Sequence, residues 1–95
     1  MKKSLSAKGL RRFVLTDHVL QAARRRGLEA KTVRQVVRSP EQREAVRSGR
    51  DVLQSRKSFS GKEYLVRVFV DVDRDPPEVV TAYRTSKVEK YWRRG

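Results

Sequence analysis

The sequence contains no cysteine and only one histidine. The lack of cysteine excludes disulfides, thiolate metal sites and thiol nucleophiles together. One histidine and scattered carboxylates do not give the ligand spacing of a metal site, and Asp71, Asp73 and Asp75 are interpreted as the polar end of a hairpin. No P-loop, GxGxxG or GxSxG motif is present, so nucleotide-cofactor and serine-hydrolase chemistry are excluded. We therefore expect neither a metal nor a cofactor.

Long apolar segments are missing as well. No apolar run approaches the ~18 residues of a membrane span, and residues 1–16 lack the apolar stretch of a signal peptide. The apolar residues of the predicted helices are Val, Leu and Ala, whereas helices that bind membrane surfaces need bulkier side chains. These absences predict a cytoplasmic protein that does not bind a membrane.

Positive charge is the most prominent feature that the chain does have. It contains 24 Lys and Arg against 11 Asp and Glu, a net charge of +13. Residues 1–50 contribute 14 − 4 = +10 and residues 51–95 contribute 10 − 7 = +3. Such a charge favours fast, salt-sensitive association with an acidic partner. The 16 arginines outnumber the 8 lysines, and because arginine suits bidentate phosphate contacts and base stacking, RNA is the favoured partner.

Apolar residues at helical spacing predict two helices near the N-terminus, over residues 17–26 and 29–38. Thr16 or Asp17 has the side-chain oxygen that caps a helix start. Gly27 is typical of the residue that ends a helix.

The periodicity changes after the second helix. Residues 40–48 have signals for both a short helix and a strand, and the strand is favoured. Alternating residues predict further strands over 50–58, 63–72 and 78–83. Ser86 and Glu89 form a capping box that predicts a terminal helix over 86–93.

These elements predict one α+β domain. Two N-terminal helices pack on an antiparallel sheet of about four strands, and a short C-terminal helix follows. Residues 1–12 are basic and aperiodic, so they are interpreted as a loose N-terminal arm ahead of a single domain over residues 13–95.

Basic and hydroxyl residues lie where the last strand meets the last helix. Helix N-termini attract phosphate, Arg84 offers a bidentate guanidinium group, and Tyr83 offers a stacking face for a base. The further candidate phosphate-binding residues of this region are Thr85, Ser86, Lys87, Lys90 and Tyr91. The alternative interpretation is a capped helix with a solvated basic face.

A second basic surface is predicted around the two helices. Its residues are Arg24, Arg25, Arg26, Arg34, Arg38, Arg43, Arg47 and Arg50. Of these, Arg26 and Arg50 are candidate phosphate contacts. The alternative is that the surface only maintains solubility.

A family resemblance adds to this interpretation. The stretch EYLVRVFVDVDRDPPEVVTAYRTSKVEKYW, residues 63–92, resembles the end of small bacterial proteins of the RelE/ParE-like toxin superfamily. Together with a helix that opens with His18, an R-G step at 26–27 and the motif T-A-Y-R at 81–84, it is most similar to the domain-of-unknown-function family 4258, relatives of BrnT toxins. The resemblance covers residues 13–92 and implies a RelE/ParE-like fold.

The resemblance implies a toxin of a type II toxin–antitoxin system, in which an acidic antitoxin protein is the partner. Well-studied relatives cut mRNA, often on the ribosome, without a metal. For this chain it implies that His18 acts as base or acid, although a helix-start histidine that packs locally is the alternative. It further implies that Lys57, Arg67 and Arg84 stabilise charge and that Tyr83 or Tyr91 stacks or donates a proton.

Two other functions stay open. A non-catalytic basic module would bind RNA, DNA or an acidic protein, with affinity that falls as salt rises. A gyrase-inhibiting toxin is the third hypothesis, because one branch of the superfamily acts in that way. A homodimer through an exposed edge strand is also left open.

Overall fold

The computed structural model describes residues 8–94, which form a four-stranded antiparallel sheet with two helices before it and one after it. The elements in chain order are α1 (Asp17–Arg25), α2 (Ala30–Arg38), β1 (Gln42–Arg47), β2 (Arg50–Phe59), β3 (Lys62–Asp71), β4 (Glu78–Thr85) and α3 (Val88–Tyr91). The sheet order β1-β2-β3-β4 is a meander. The predicted α+β fold is confirmed, and residues 40–48 contain the favoured strand because β1 pairs along β2.

Local signals set the ends of α1. Thr16 is the N-cap, and its hydroxyl accepts a hydrogen bond from the backbone N–H of Val19 at 3.2 Å. Gly27 follows the helix with a φ of 80°, a left-handed conformation that a residue with a Cβ adopts at a cost. The sequence signals at both ends of this helix are therefore confirmed.

The two sides of the sheet are covered differently. On one side, which we call the helix side, α1 and α2 bury the core against the sheet, where Leu53, Val66, Val68 and Val70 are fully buried. Because successive strand residues point to opposite sides, Leu65, Arg67 and Phe69 lie on the other side, which we call the open side. The short helix α3 contacts β3 there. Arg67 and Phe69 are only half-buried, so this side carries polar and aromatic groups that solvent reaches.

The prediction for the C-terminal helix is wrong in its start and length. α3 has four residues, its N-cap is Lys87, and no side chain caps it. Ser86 does not form the predicted capping box with Glu89, because β4 continues to Thr85 and the Thr85 hydroxyl instead accepts from the backbone N–H of Lys87 at 3.1 Å. The side-chain bond thus closes a turn between strand and helix.

The segment before α1 is attached to the domain. The Leu10 N–H donates to the Val37 carbonyl at 2.9 Å, and a Cβ on Gly9 would collide with the carbonyl of Arg38. Val14 forms a parallel bridge to Glu78 at the outer edge of β4. The prediction of a loose arm is therefore wrong for residues 8–12, and residues 1–7 of the predicted arm lie outside the described residues.

In the described part of the chain, none of the helices has both the length and the apolar character needed to cross a membrane.

Candidate functional site

The open side of the sheet holds a group of polar and aromatic side chains around Arg67. Its members, which we call the sheet-face cluster, are Gln54, Arg67, Phe69, Tyr83 and Tyr91. Gln54 and Tyr83 lie opposite Arg67 on the two neighbouring strands, and Tyr91 reaches it from α3. The meander therefore brings four elements together on one half-buried guanidinium group.

Only some of the N–H donors of the Arg67 guanidinium are hydrogen-bonded within the described residues. Its Nε donates to Gln54 Oε1 at 2.9 Å and its Nη1 donates to the Tyr83 hydroxyl at 2.8 Å. A guanidinium has five N–H donors, so 5 − 2 = 3 have no acceptor among the described residues. Among residues 8–94, no carboxylate lies within 4.0 Å of this side chain. Arg67 is thus held in place and keeps its positive charge for an external anion.

Aromatic rings surround the charge. The Tyr91 ring centroid lies 4.3 Å from the Arg67 guanidinium carbon, and the Phe69 centroid lies 5.3 Å from it. Phe69 and Tyr83 stack with centroids 6.1 Å apart and an interplanar angle of 22°. Rings of this kind provide faces on which a nucleic-acid base can stack beside a phosphate-binding cation.

Two buried glutamines hold the cluster together. Gln54, which is 1% exposed, donates from Nε2 to Gln42 Oε1 at 2.8 Å and to the Tyr91 carbonyl at 3.2 Å. Gln42 in turn donates to the Arg93 carbonyl at 2.6 Å and accepts from the Arg93 N–H at 3.1 Å. This chain of hydrogen bonds fixes the C-terminal segment on the sheet and orients Arg67. No sequence pattern pointed to either residue.

The predicted residues Lys57 and Arg84 lie on the helix side instead. The Arg84 guanidinium carbon is 4.4 Å from the ring centroid of Phe59 and 4.7 Å from that of Tyr64, and Lys57 pairs with Tyr64 across β2 and β3. Gly27 packs so closely on Arg84 that a Cβ there would lie 2.7 Å from Nη2. Tyr83 and Arg84 are therefore separated by the sheet, and the predicted convergence of the T-A-Y-R residues on one phosphate is wrong.

His18 joins neither group. It is exposed in the first turn of α1, whereas the residues that follow the other end of this helix contact β4, Arg26 at Thr81 and Gly27 at Arg84. The nine residues of α1 span about 13 Å at 1.5 Å per residue. The five predicted catalytic residues thus occupy three places, and the hydrogen bond that joins two of them is the one between Arg67 and Tyr83.

The predicted phosphate-binding residues are dispersed too. Arg26 donates to the Thr81 hydroxyl at 3.1 Å and the Ala82 carbonyl at 3.0 Å, and Arg50 pairs with Asp71 at 2.7 Å. The remaining five divide in two: Tyr91 belongs to the sheet-face cluster, whereas Thr85, Ser86, Lys87 and Lys90 lie around the start of α3. With four residues, α3 is too short to offer the helix N-terminus that the phosphate hypothesis used.

The Arg50–Asp71 pair gives a pH-dependent prediction. The Arg50 hydrogen bond lowers the pKa of Asp71, so the pair stabilises the fold above the unfolded-state pKa of ~3.9, and this contribution disappears as the pH falls through the lower folded value. We expect Asp71→Asn to lower the thermal midpoint at pH 7, and we expect the midpoint of this variant to fall less steeply than that of the parent chain as the pH drops below about 4. Circular dichroism melts at several pH values measure this. Asp73→Asn, which removes an exposed carboxylate, is the control, and equal slopes for both variants would contradict the prediction.

Comparison with known proteins adds no relative. No family model, no curated protein and no solved structure matches the chain. In residues 8–94 no three His, Asp or Glu side chains are grouped where a metal ion could be held. The candidate site is therefore the sheet-face cluster, in which the Arg67 guanidinium and the Tyr83 hydroxyl lie among aromatic rings.

Proposed function

We propose that this protein is a cytoplasmic, toxin-like RNA-binding protein that cleaves mRNA at the sheet-face cluster without a metal, and that an acidic protein partner neutralises it. The observation that carries the proposal is the Arg67–Tyr83 contact: a guanidinium, three of whose donors find no acceptor within residues 8–94, is hydrogen-bonded at 2.8 Å to a phenol oxygen. The net charge of +13 favours a polyanionic substrate.

Each side chain has a role in the proposed cleavage. The 2′-hydroxyl of one nucleotide attacks the adjacent phosphorus and loses its proton to water. The bond to the 5′-oxygen breaks, which leaves a 2′,3′-cyclic phosphate and a 5′-hydroxyl. Arg67 stabilises the charge that develops on the phosphate oxygens. Because the Tyr83 oxygen accepts from Arg67, which has no acceptor atom to offer in return, the O–H of Tyr83 can protonate the leaving oxygen and then regain a proton from water.

A non-catalytic RNA-binding module is the second candidate, and one observation favours it. None of the five residues of the sheet-face cluster is a histidine, lysine or carboxylate that would accept the 2′-hydroxyl proton, and Lys90 reaches the cluster only through the ring of Tyr91, 5.3 Å from its Nζ. His18, the residue that the resemblance makes the base or acid, lies elsewhere, exposed in the first turn of α1. Binding needs only Arg67 and its aromatic neighbours.

Incubation of the full chain with labelled RNA separates the candidates. Free mRNA is tested in EDTA and ribosome-bound mRNA in magnesium buffer. Cuts that leave 5′-hydroxyl ends in EDTA support metal-free cleavage. Intact RNA that the protein retains on a gel supports the binding module, and RNA that is neither retained nor cut contradicts both.

RNA affinity itself should depend on Arg67. We expect Arg67→Gln to weaken binding of a non-cleavable 2′-O-methyl oligonucleotide by about 10- to 100-fold, because it removes a charge-assisted contact. Arg24→Gln is the matched control, since Arg24 is exposed on α1 and the substitution removes the same charge. Fluorescence anisotropy at fixed salt measures both variants. Equal losses would mean that net charge, and not the cluster, binds RNA.

A further inference from the structure

The helix side carries a groove that the proposed RNA site does not use. It lies between α2 and the segment that precedes α1, as two adjoining concavities of about 780 and 450 Å³. Arg11, Arg12 and Arg38 line both of them, and Arg34 lines the second. We call this feature the arginine-rimmed groove.

Apolar side chains form its floor, which is predominantly apolar in the larger concavity and mixed with polar groups in the smaller one. Leu10 and Pro77 line the larger concavity, and Phe13, Leu15 and Pro76 line the smaller one. The four arginine side chains therefore stand around a surface that would gain from contact with apolar side chains. A phosphate backbone alone would leave that surface unused.

The charges of the rim are largely uncompensated. Within the described chain, Arg11 and Arg34 have no carboxylate within 4.0 Å. Arg12 contacts Asp75 at 3.4 Å, but the two side chains are 74% and 91% exposed, so this pair is weak. Arg38 lies over the Phe13 ring at 5.5 Å. One exposed carboxylate thus faces four guanidinium groups.

The walls of the groove are fixed by backbone contacts. Gly9 packs on the last turn of α2, and Leu10 donates to the Val37 carbonyl there. Val14 exchanges hydrogen bonds with the start of β4, because its N–H donates to Pro77 O at 2.8 Å and its carbonyl accepts from Val79 N at 3.0 Å. A surface held at both ends is preformed for a ligand, which lowers the entropic cost of binding.

We propose that the arginine-rimmed groove binds an acidic amphipathic segment of a partner protein. Carboxylates of the segment pair with the rim, and its apolar side chains cover the floor. The first seven residues of the chain are a poor occupant because they include Lys2 and Lys3 and no acid. The inference rests on the acidic-partner part of the proposed function and gives that partner a place on the molecule. The groove is separate from the sheet-face cluster, so the inference holds whether or not RNA is bound or cut there.

Selection from a phage library of random 15-residue peptides against the full chain tests the chemistry. We expect enriched peptides to combine Asp or Glu with Leu, Ile, Phe or Trp. Their affinity, measured by fluorescence anisotropy, should fall at least about tenfold on Arg34→Glu and on Arg11→Glu. Both residues are exposed and unpaired in the described chain, so neither change should disturb folding, which circular dichroism checks. Arg24→Glu, on the exposed surface of α1, is the charge-matched control and should reduce the peptide affinity much less.

Several outcomes would overturn the inference. Peptides that are acidic without apolar residues would show that the floor is not used. If the peptides bind the Arg34→Glu variant as tightly as the parent chain, or if no peptide is enriched, the groove does not bind a protein segment. If Arg34→Glu instead lowers the affinity for the 2′-O-methyl oligonucleotide as much as Arg67→Gln does, the groove is a nucleic-acid-binding surface.

Discussion

Tyr83→Phe should slow RNA cleavage by about 100-fold or more and leave RNA affinity almost unchanged. The substitution removes one oxygen and its proton. The ring still stacks on Phe69, and Arg67 keeps its hydrogen bond to Gln54 and gains a free donor. A group that only protonates the leaving oxygen contributes to the transition state and not to substrate binding, so the loss appears in the rate of the bound complex.

Single-turnover cleavage with excess protein measures that rate, and anisotropy with the 2′-O-methyl oligonucleotide measures affinity. His18→Ala is the control, because His18 is exposed on α1 and contacts no member of the sheet-face cluster. It should retain the full rate. If His18→Ala cleaves RNA slowly and Tyr83→Phe cleaves it at the full rate, Tyr83 is not the proton donor and the proton transfer takes place at His18 on α1.

The helices and strands were predictable because the signals that form them are local. Alternating valines define β3, and the Thr16 hydroxyl and Gly27 set the ends of α1. The wrong helix start at Ser86 was a local signal too, but it competed with pairing of β4 to β3, which extends the strand to Thr85. The backbone pairing of β4 with β3 extends over many residues and therefore outweighs a single capping motif.

Which residues form the candidate site was not predictable in the same way, because it depends on contacts between residues that are distant in the sequence. Arg50 was expected to bind phosphate, yet the register of β2 on β3 places it opposite Asp71, 21 residues away. Tyr83 and Arg84 were grouped because they are adjacent in sequence. Once β4 is known to pass through both, the alternation of strand side chains puts them on opposite sides of the sheet. This separation could have been inferred if the predicted strand had not ended at Tyr83.

Gln42 and Gln54 were missed for a related reason. A glutamine in a strand is normally exposed, and its burial is tolerated only where partners satisfy its amide. Those partners come from another strand and from the C-terminal segment, as far as 51 residues along the chain. Among the described residues no buried side-chain nitrogen or oxygen lacks a partner, so the network is complete. A complete buried network that ends on Arg67 indicates that the orientation of this side chain is built into the fold.

Gln54→Leu should therefore destabilise the protein more than any exposed substitution on the same strand. Leucine fills a similar volume but leaves the Tyr91 carbonyl and the Arg67 Nε without their partners, while Gln42 Oε1 keeps the Arg93 N–H. An unsatisfied buried group costs about 1–3 kcal/mol, so a loss of about 2–4 kcal/mol is expected. For a domain of this size that lowers the thermal midpoint by roughly 10–25 °C.

Two measurements distinguish this effect from a general loss of packing. Circular dichroism melts give the midpoint, and Ser58→Ala, an exposed change on β2, should shift the free energy of unfolding by no more than about 0.5 kcal/mol. The single tryptophan, Trp92, lies within the released segment, between Tyr91 and Arg93, and Arg56 is 4.0 Å from its ring centroid, so its fluorescence reports detachment of the C-terminus before global unfolding. Unchanged emission and a midpoint equal to that of Ser58→Ala would show that the glutamine pair does not hold the cluster. A shifted emission together with weaker RNA binding would link the order of the C-terminal segment to the position of Arg67, because Gln54 is the residue that contacts both.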